Sequence, residues 1–270
     1  MPNALIFTKR TVLKIAALAV LAPVAHTSTA QISTALAINR AARFRALSQR
    51  CAKAYCQLQL DVMPDNARVV TAAAQRLMQV GFEDLGRAGL AGDSLRHLQA
   101  LQQEATTLNA SLATKPTRES VQAVSAQADK VLDHAHRLTQ TLEVASAQAS
   151  ARLISLAGRQ RMLSQRLAKN YFLVAVTPNV PLAREQLVSD RADFNQALAA
   201  LTAGAIATPA IRNEIELSRS QWTFFDAALR RTPDADALRT VATTSERLLE
   251  VNNNLTALYE AALKDVLGTT

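Results

Sequence analysis

The sequence predicts an all-α fold, two tandem up-down four-helix bundles stacked end to end. Three observations lead there. The first is composition. With 7 Gly, 8 Pro, 7 Phe, 3 Tyr and 1 Trp in 270 residues, the turn and aromatic content of a sheet protein is missing, while strong helix formers abound. The second is a repeated stretch: Ile38–Cys56 (INRAARFRALSQRCAKAYC) returns 116 residues later as Ile154–Phe172 (ISLAGRQRMLSQRLAKNYF). The third is a second repeated block, Pro116 to Leu142 on Pro233 to Tyr259 at an offset of 117, with Leu132 on Leu249, Leu138 on Leu255 and Thr139 on Thr256. Offsets that agree to one residue define two modules, 31–147 and 148–270.

The elements follow in chain order. Lys9, Arg10 and Lys14 flank the start of an apolar stretch, Ile15–Ala25, and Ser28-Thr29-Ala30 puts small residues before a cleavage point. Residues 1–30 are therefore expected to be a secretory signal cleaved after Ala30. The stretch holds 11 residues interrupted by Pro23, short of the about 20 that span a bilayer. An uncleaved anchor is the alternative. The mature chain is expected to be soluble in a bacterial periplasm, with 27 Lys and Arg against 22 Asp and Glu. That balance lacks the concentrated charge of a nucleic-acid binder.

In module 1 the first helix is expected over 33–62, stopping before Pro64, and the second over 66–86, ending at Gly86 or Gly89. The third runs from Asp93-Ser94 to 113, and Pro116-Thr117 with Glu119 opens the fourth. In module 2 the breaks fall at Thr177-Pro178, at Gly204 with Pro209, and at Thr232-Pro233-Asp234. Four amphipathic helices on short connections form an up-down bundle. From Thr117 to Val176 there is no Pro, and Gly158 is the only Gly. The junction Ala145–Arg152 (ASAQASAR) is helix-compatible, which predicts one continuous helix of about 60 residues, near 90 Å long, joining stacked modules. A hairpin near residue 147 is the alternative and would lay the modules side by side.

The repeated helix carries the chemistry. At 100° per residue its first stripe is Ile154, Ala157, Arg161, Ser164, Ala168 and Tyr171, identical at every position to Ile38, Ala41, Arg45, Ser48, Ala52 and Tyr55. A second stripe with Leu153, Leu156, Leu163 and Leu167 reads as packing surface. A third, with Arg159, Arg166 and Lys169 in one copy and Arg43, Arg50 and Lys53 in the other, reads as a basic outer edge. Arg45 and Arg161 stand apart, because a guanidinium among small apolar neighbours needs a partner. No Asp or Glu occurs in 31–60 or 145–176. The partner is then a carboxylate from another helix, such as Asp129 or Glu246, or a diffusible anion held by the planar donor fork. Ala157 and Gly158 would let a helix or a ligand approach the backbone.

Other residues point to packing. Cys51 and Cys56 lie about 140° apart on one helix, too far for a disulfide, and read as core. His134 and His136 diverge by about 200° and read as solvated rather than metal-binding. Trp222-Thr223-Phe224-Phe225 reads as bundle core, with a partner-docking face as the alternative, and Asn252-Asn253-Asn254 as exposed, with a polar seam on the last helix as the alternative. No phosphate loop, HExxH, GxSxG or CxxC occurs, so no catalytic residue, metal or cofactor is expected.

The stretch AGRQRMLSQRLAKNY (Ala157–Tyr171) resembles the signature of the PilJ-type module, the N-terminal periplasmic domain of type IV pilus methyl-accepting transducers. It is similar, too, to the corresponding helix of NarX/NarQ-type nitrate/nitrite sensor kinases. In the first copy Gly158 is matched by Ala42 and Met162 by Ala46. The resemblance implies a four-helix sensor bundle in which an arginine shortly after the Ala-Gly pair clamps an anion where two copies of the helix meet across a dimer. By position that arginine is Arg161, and Arg45 in the other copy; Gly158 takes the backbone-contact role, and Arg166 and Arg50 match the second arginine. Unlike such transducers, the protein is expected to lack a second apolar segment and an output domain of its own. The expected function is a periplasmic binding protein for a small oxyanion, nitrate or nitrite first, relaying to a separate membrane transducer or sensor, with a parallel homodimer as its assembly. The alternative is a helical interaction module without a small ligand, docking on a transducer or on pilus-associated machinery through its basic face.

Overall fold

The computed structural model describes residues 32–146, 149–204, 206 and 208–266, with backbone alone at 149–150 and 263–266. The signal segment 1–30 lies outside the described residues. Among these, eight helices and no strand occur: α1 (Thr34–Gln59), α2 (Pro64–Gly86), α3 (Gly92–Leu112), α4 (Arg118–Ser146), α5 (Ala149–Val176), α6 (Pro181–Thr202), α7 (Pro209–Leu229) and α8 (Ala235–Val266).

The helix ends sit where local chemistry puts them. Ser33 caps α1 by accepting from Leu36 N at 3.3 Å. Thr117 and Ser120 cap α4 reciprocally, Ser120 N donating to Thr117 Oγ1 at 3.1 Å and Thr117 N to Ser120 Oγ at 2.7 Å. Pro64, Pro181 and Pro209 open α2, α6 and α7, where a missing N–H costs nothing. Asp234 receives Ala237 N at 2.7 Å at the start of α8. The turn into α2 holds Asp61 and Met63 at φ 53° and 50°, a left-handed conformation that strains side chains other than Gly.

The two copies of the repeat lie at the centre, side by side and parallel. α1 packs on α2, α4 and α5, and α5 packs on α6, α8 and α1. The pairs α2–α3 and α6–α7 form the outer flanks, against α1–α4 and α5–α8 respectively. The end-to-end stack and its continuous long helix are therefore corrected. Lys169 Nζ donates to Asp129 Oδ1 at 2.7 Å, whereas one unbroken helix would hold these residues about 60 Å apart. The reason is visible in α1, which is buried almost without interruption from Ala35 to Gln57. A helix buried on every side needs neighbours on every side, and an isolated four-helix module leaves one flank of α1 bare. The other copy of the same helix covers it.

Candidate functional site

Small residues of α1 and α5 face each other at Gly158. A Cβ built on Gly158 would stand 3.1 Å from Ala42 Cβ, 3.1 Å from Arg45 Nη2 and 3.2 Å from Arg161 Nη2. Equivalent positions of the two copies, 42 and 158, thus meet at the seam. The tips of Arg45 and Arg161 converge over Gly158 and lie no more than about 6.3 Å apart. These arginines are 3 % and 2 % exposed.

Neither guanidinium meets a carboxylate. Arg45 donates from Nε to Ala42 O at 3.3 Å and from Nη2 to Ser155 O at 3.0 Å. Arg161 donates from Nη2 to Asn39 Oδ1 at 2.9 Å, and its buried Nε has no partner. Among the described residues, Arg45 and Arg161 form no ion pair. Burial lowers Arg45 to about 10, with Glu143 acting against it from a distance. Arg161 is lowered well below its ordinary value, by burial first and then by Arg43 and Arg45. Arginine does not shed its proton near neutrality, so the lowering registers as two like charges held in a buried seam without a directly paired carboxylate, Glu260 and Glu143 acting on Arg161 and Arg45 only from a distance.

The carboxylates that sequence placed within reach of these arginines are used by lysines about two turns further along the helices. Lys53 Nζ bonds Glu246 Oε1 at 2.5 Å and Ser245 Oγ at 3.1 Å, and Lys169 bonds Asp129. Each lysine thus reaches a carboxylate on the last helix of the other half. Lys53 and Lys169 are 0 % and 1 % exposed, so the expected basic outer edge is corrected: its lysines face the centre. Burial lowers both lysines despite their acids. Burial pushes Glu246 up, but Lys53 and Arg50 outweigh it and bring it to about 2. Beside these pairs, Gln49 Nε2 donates to Ala128 O at 3.2 Å and Asp129 Oδ1 at 3.0 Å, and Gln165 Nε2 to Ser245 O at 2.9 Å. The polar layer therefore repeats with the sequence.

Of the residues singled out in the sequence, Gly158, Arg45 and Arg161 come together. Arg50 and Arg166 do not share that role, because Arg50 is paired with Glu246 and Arg166 with Asp190. Arg159 bonds Asp193 at 2.5 Å, while its counterpart Arg43 forms no ion pair among the described residues. Cys51 and Cys56 are free and buried, and burial pushes both thiols up to about 12. Trp222 stacks on Phe194 at 4.1 Å in the core, whereas Phe224 is 63 % exposed, and Asn252 is buried and accepts from Ser218 Oγ at 2.8 Å. His136 is half-buried rather than solvated, and burial together with Arg45 lowers it.

Sequence reasoning missed Asn39. It sits six residues before Arg45, and in the structure its amide bridges Arg161 to Glu260 on α8, with Nδ2 donating to Glu260 Oε2 at 2.5 Å. The only available signal was that it aligns with Ser155, the residue whose carbonyl takes Arg45.

No helix among the described residues is long and apolar enough to cross a membrane, and no cluster of three or more His, Cys, Asp or Glu among them could hold a metal ion. Neither the curated protein sequences nor the solved structures give a match to the chain. Residues 142–248, from the end of α4 into α8 and including Gly158 and Arg161, match the family described as type IV pili methyl-accepting chemotaxis transducer N-term, PilJ.

Proposed function

We propose that the chain binds a small inorganic oxyanion, nitrate or nitrite first, between Arg45 and Arg161, and relays its presence to a membrane transducer or sensor protein. One observation carries this reading. Two guanidiniums, both buried, converge over the single Gly of the central helices and have no carboxylate of their own. Leaving such charges unpaired is costly, and a resident acid would have removed the cost. A planar oxyanion matches the donor forks on either side. In the nitrate sensors the same helix is paired across a dimer. Here α1 and α5, read as tandem PilJ-like copies, supply both halves from one chain, so a homodimer is not needed to complete the site. Export to the periplasm, directed by residues 1–30, would place the site outside the cytoplasm.

Isothermal titration with nitrate and nitrite in low salt tests the reading, on the wild type and on Arg161→Met. Binding that disappears in the variant supports it; no heat with the wild type removes it.

A ligand-free docking module is the second reading. Leu217 and Phe224, seven residues apart on α7, are 49 % and 63 % exposed and fit a protein contact on that flank. The basic face first suggested for docking does not serve, since Arg166 and Arg159 are ion-paired and Lys169 is buried.

A further inference from the structure

The two buried arginines are chemically alike but are held differently. Arg45 is tied to two main-chain carbonyls, Ala42 O and Ser155 O. A carbonyl inside a helix cannot swing away, so Arg45 is a fixed wall of the site. Arg161 is tied to one side-chain amide, Asn39 Oδ1, and its Nε is unused. A side chain can rotate about its own bonds. An anion at Arg161 would replace a neutral carbonyl with a full charge, and a charge-assisted bond of that kind is roughly twice as strong.

The other end of Asn39 is anchored. Its Nδ2 donates to Glu260, which lies six residues before the end of α8. Asn39 itself is 8 % exposed, so it has no ready supply of water to replace either bond. The amide can serve Arg161 and Glu260 together only in one position. If the anion takes Arg161, Asn39 must leave, and its hold on α8 changes with it. The second copy lacks this device, because Ser155 offers only its backbone. Arg43, which forms no ion pair among the described residues and whose charge acts against that of Arg161, lies on the same helix four residues from Asn39.

We infer that Asn39 is the positioning residue of the anion site: an internal stand-in that occupies Arg161 when no anion is bound, sets the affinity, and reports displacement to the C-terminal end of α8 through Glu260. This rests on the anion reading above.

The experiment uses nitrate on the wild type, Asn39→Ala and Asn39→Ser, with titration calorimetry for affinity and hydrogen exchange over 250–262 for the response of α8. Serine is the residue at the matching position 155, which makes Asn39→Ser the milder variant should alanine unfold the seam. The inference expects nitrate to bind both variants about tenfold more tightly than the wild type, the value of one such hydrogen bond that no longer has to be broken. It expects nitrate to alter exchange in α8 of the wild type and not of the variants. Wild-type binding with unchanged or weaker affinity in both variants overturns the inference and leaves the anion site standing. An α8 response that survives in the variants does the same. Absence of binding in the wild type removes the site and the inference together.

Discussion

Gly158→Ala is the sharpest test of the seam, because its consequences can be worked from the contacts around that residue. Glycine in a helix interior is about 1 kcal/mol worse than alanine, so with open space around it the substitution would stabilise α5 by that amount. Space is not open. The new methyl group would meet Ala42 Cβ and Arg45 Nη2 at 3.1 Å and Arg161 Nη2 at 3.2 Å. The Ala42 Cβ moves only with the backbone of α1, and Arg45 is pinned by two main-chain carbonyls, so neither retreats easily. Overpacking of this kind costs about 1–3 kcal/mol. The two terms leave a net destabilisation of about 0–2 kcal/mol, read as a lower urea midpoint. The same methyl group stands where the two guanidinium tips converge, so nitrate affinity is expected to fall by at least about tenfold, or ~1.4 kcal/mol. Equilibrium urea unfolding and calorimetry on the same preparation read both numbers. A variant that gains the whole propensity term of about 1 kcal/mol while binding nitrate as the wild type does would refute the close approach of α1 and α5 at this residue.

Further outcomes follow from the same geometry. Arg161→Met keeps side-chain bulk but deletes an unpaired buried charge. In anion-free buffer it is expected to match or exceed the wild type, by up to about 4 kcal/mol, and to lose any nitrate-dependent rise in Tm, as scanning fluorimetry would show. Glu246→Gln strands Lys53 and Arg50 at once and is expected to cost about 3–5 kcal/mol in a urea titration, whereas a loss under 1 would deny the pair its structural role. Wild-type stability should fall in acid for the same reason. Glu246 is held at about 2 against an ordinary 4.5, so its contribution, about 3 kcal/mol, is present above pH 4.5 and lost as pH falls toward 2. That acid-dependent loss should shrink in Glu246→Gln. Cys51 and Cys56, buried and pushed up to about 12, should resist a thiol reagent in the folded chain and react on addition of denaturant.

Much of the fold was legible because it is local. Prolines, glycines and capping residues fixed the breaks between helices to within a few residues: Pro64, Pro209 and Thr117 stand where α2, α7 and α4 begin. The repeat at 116 and 117 residues was legible for the same reason, and it carries through to matched hydrogen bonds such as those of Gln49 and Gln165. The stripe holding Arg45 and Arg161 also followed from helical periodicity, since it asks only which residues share a face.

What sequence could not settle was which surface meets which. Lys53 and Lys169 lie on a stripe that looks solvated from one helix alone, and they are buried because another half of the chain covers it. Asp129 and Glu246 could have neutralised the arginines, but the parallel pairing of α1 with α5 hands them to the lysines instead. The amino-acid sequence by itself determined eight helices, a duplicated basic segment and two guanidiniums on a small-residue face. Only the tertiary structure decided that the duplicate helices lie against one another and that those two charges share a buried seam without an ion pair among the described residues. Helix formation depends on neighbours three and four residues away, whereas the choice of partner face is a competition for burial across more than a hundred residues, which no local pattern records.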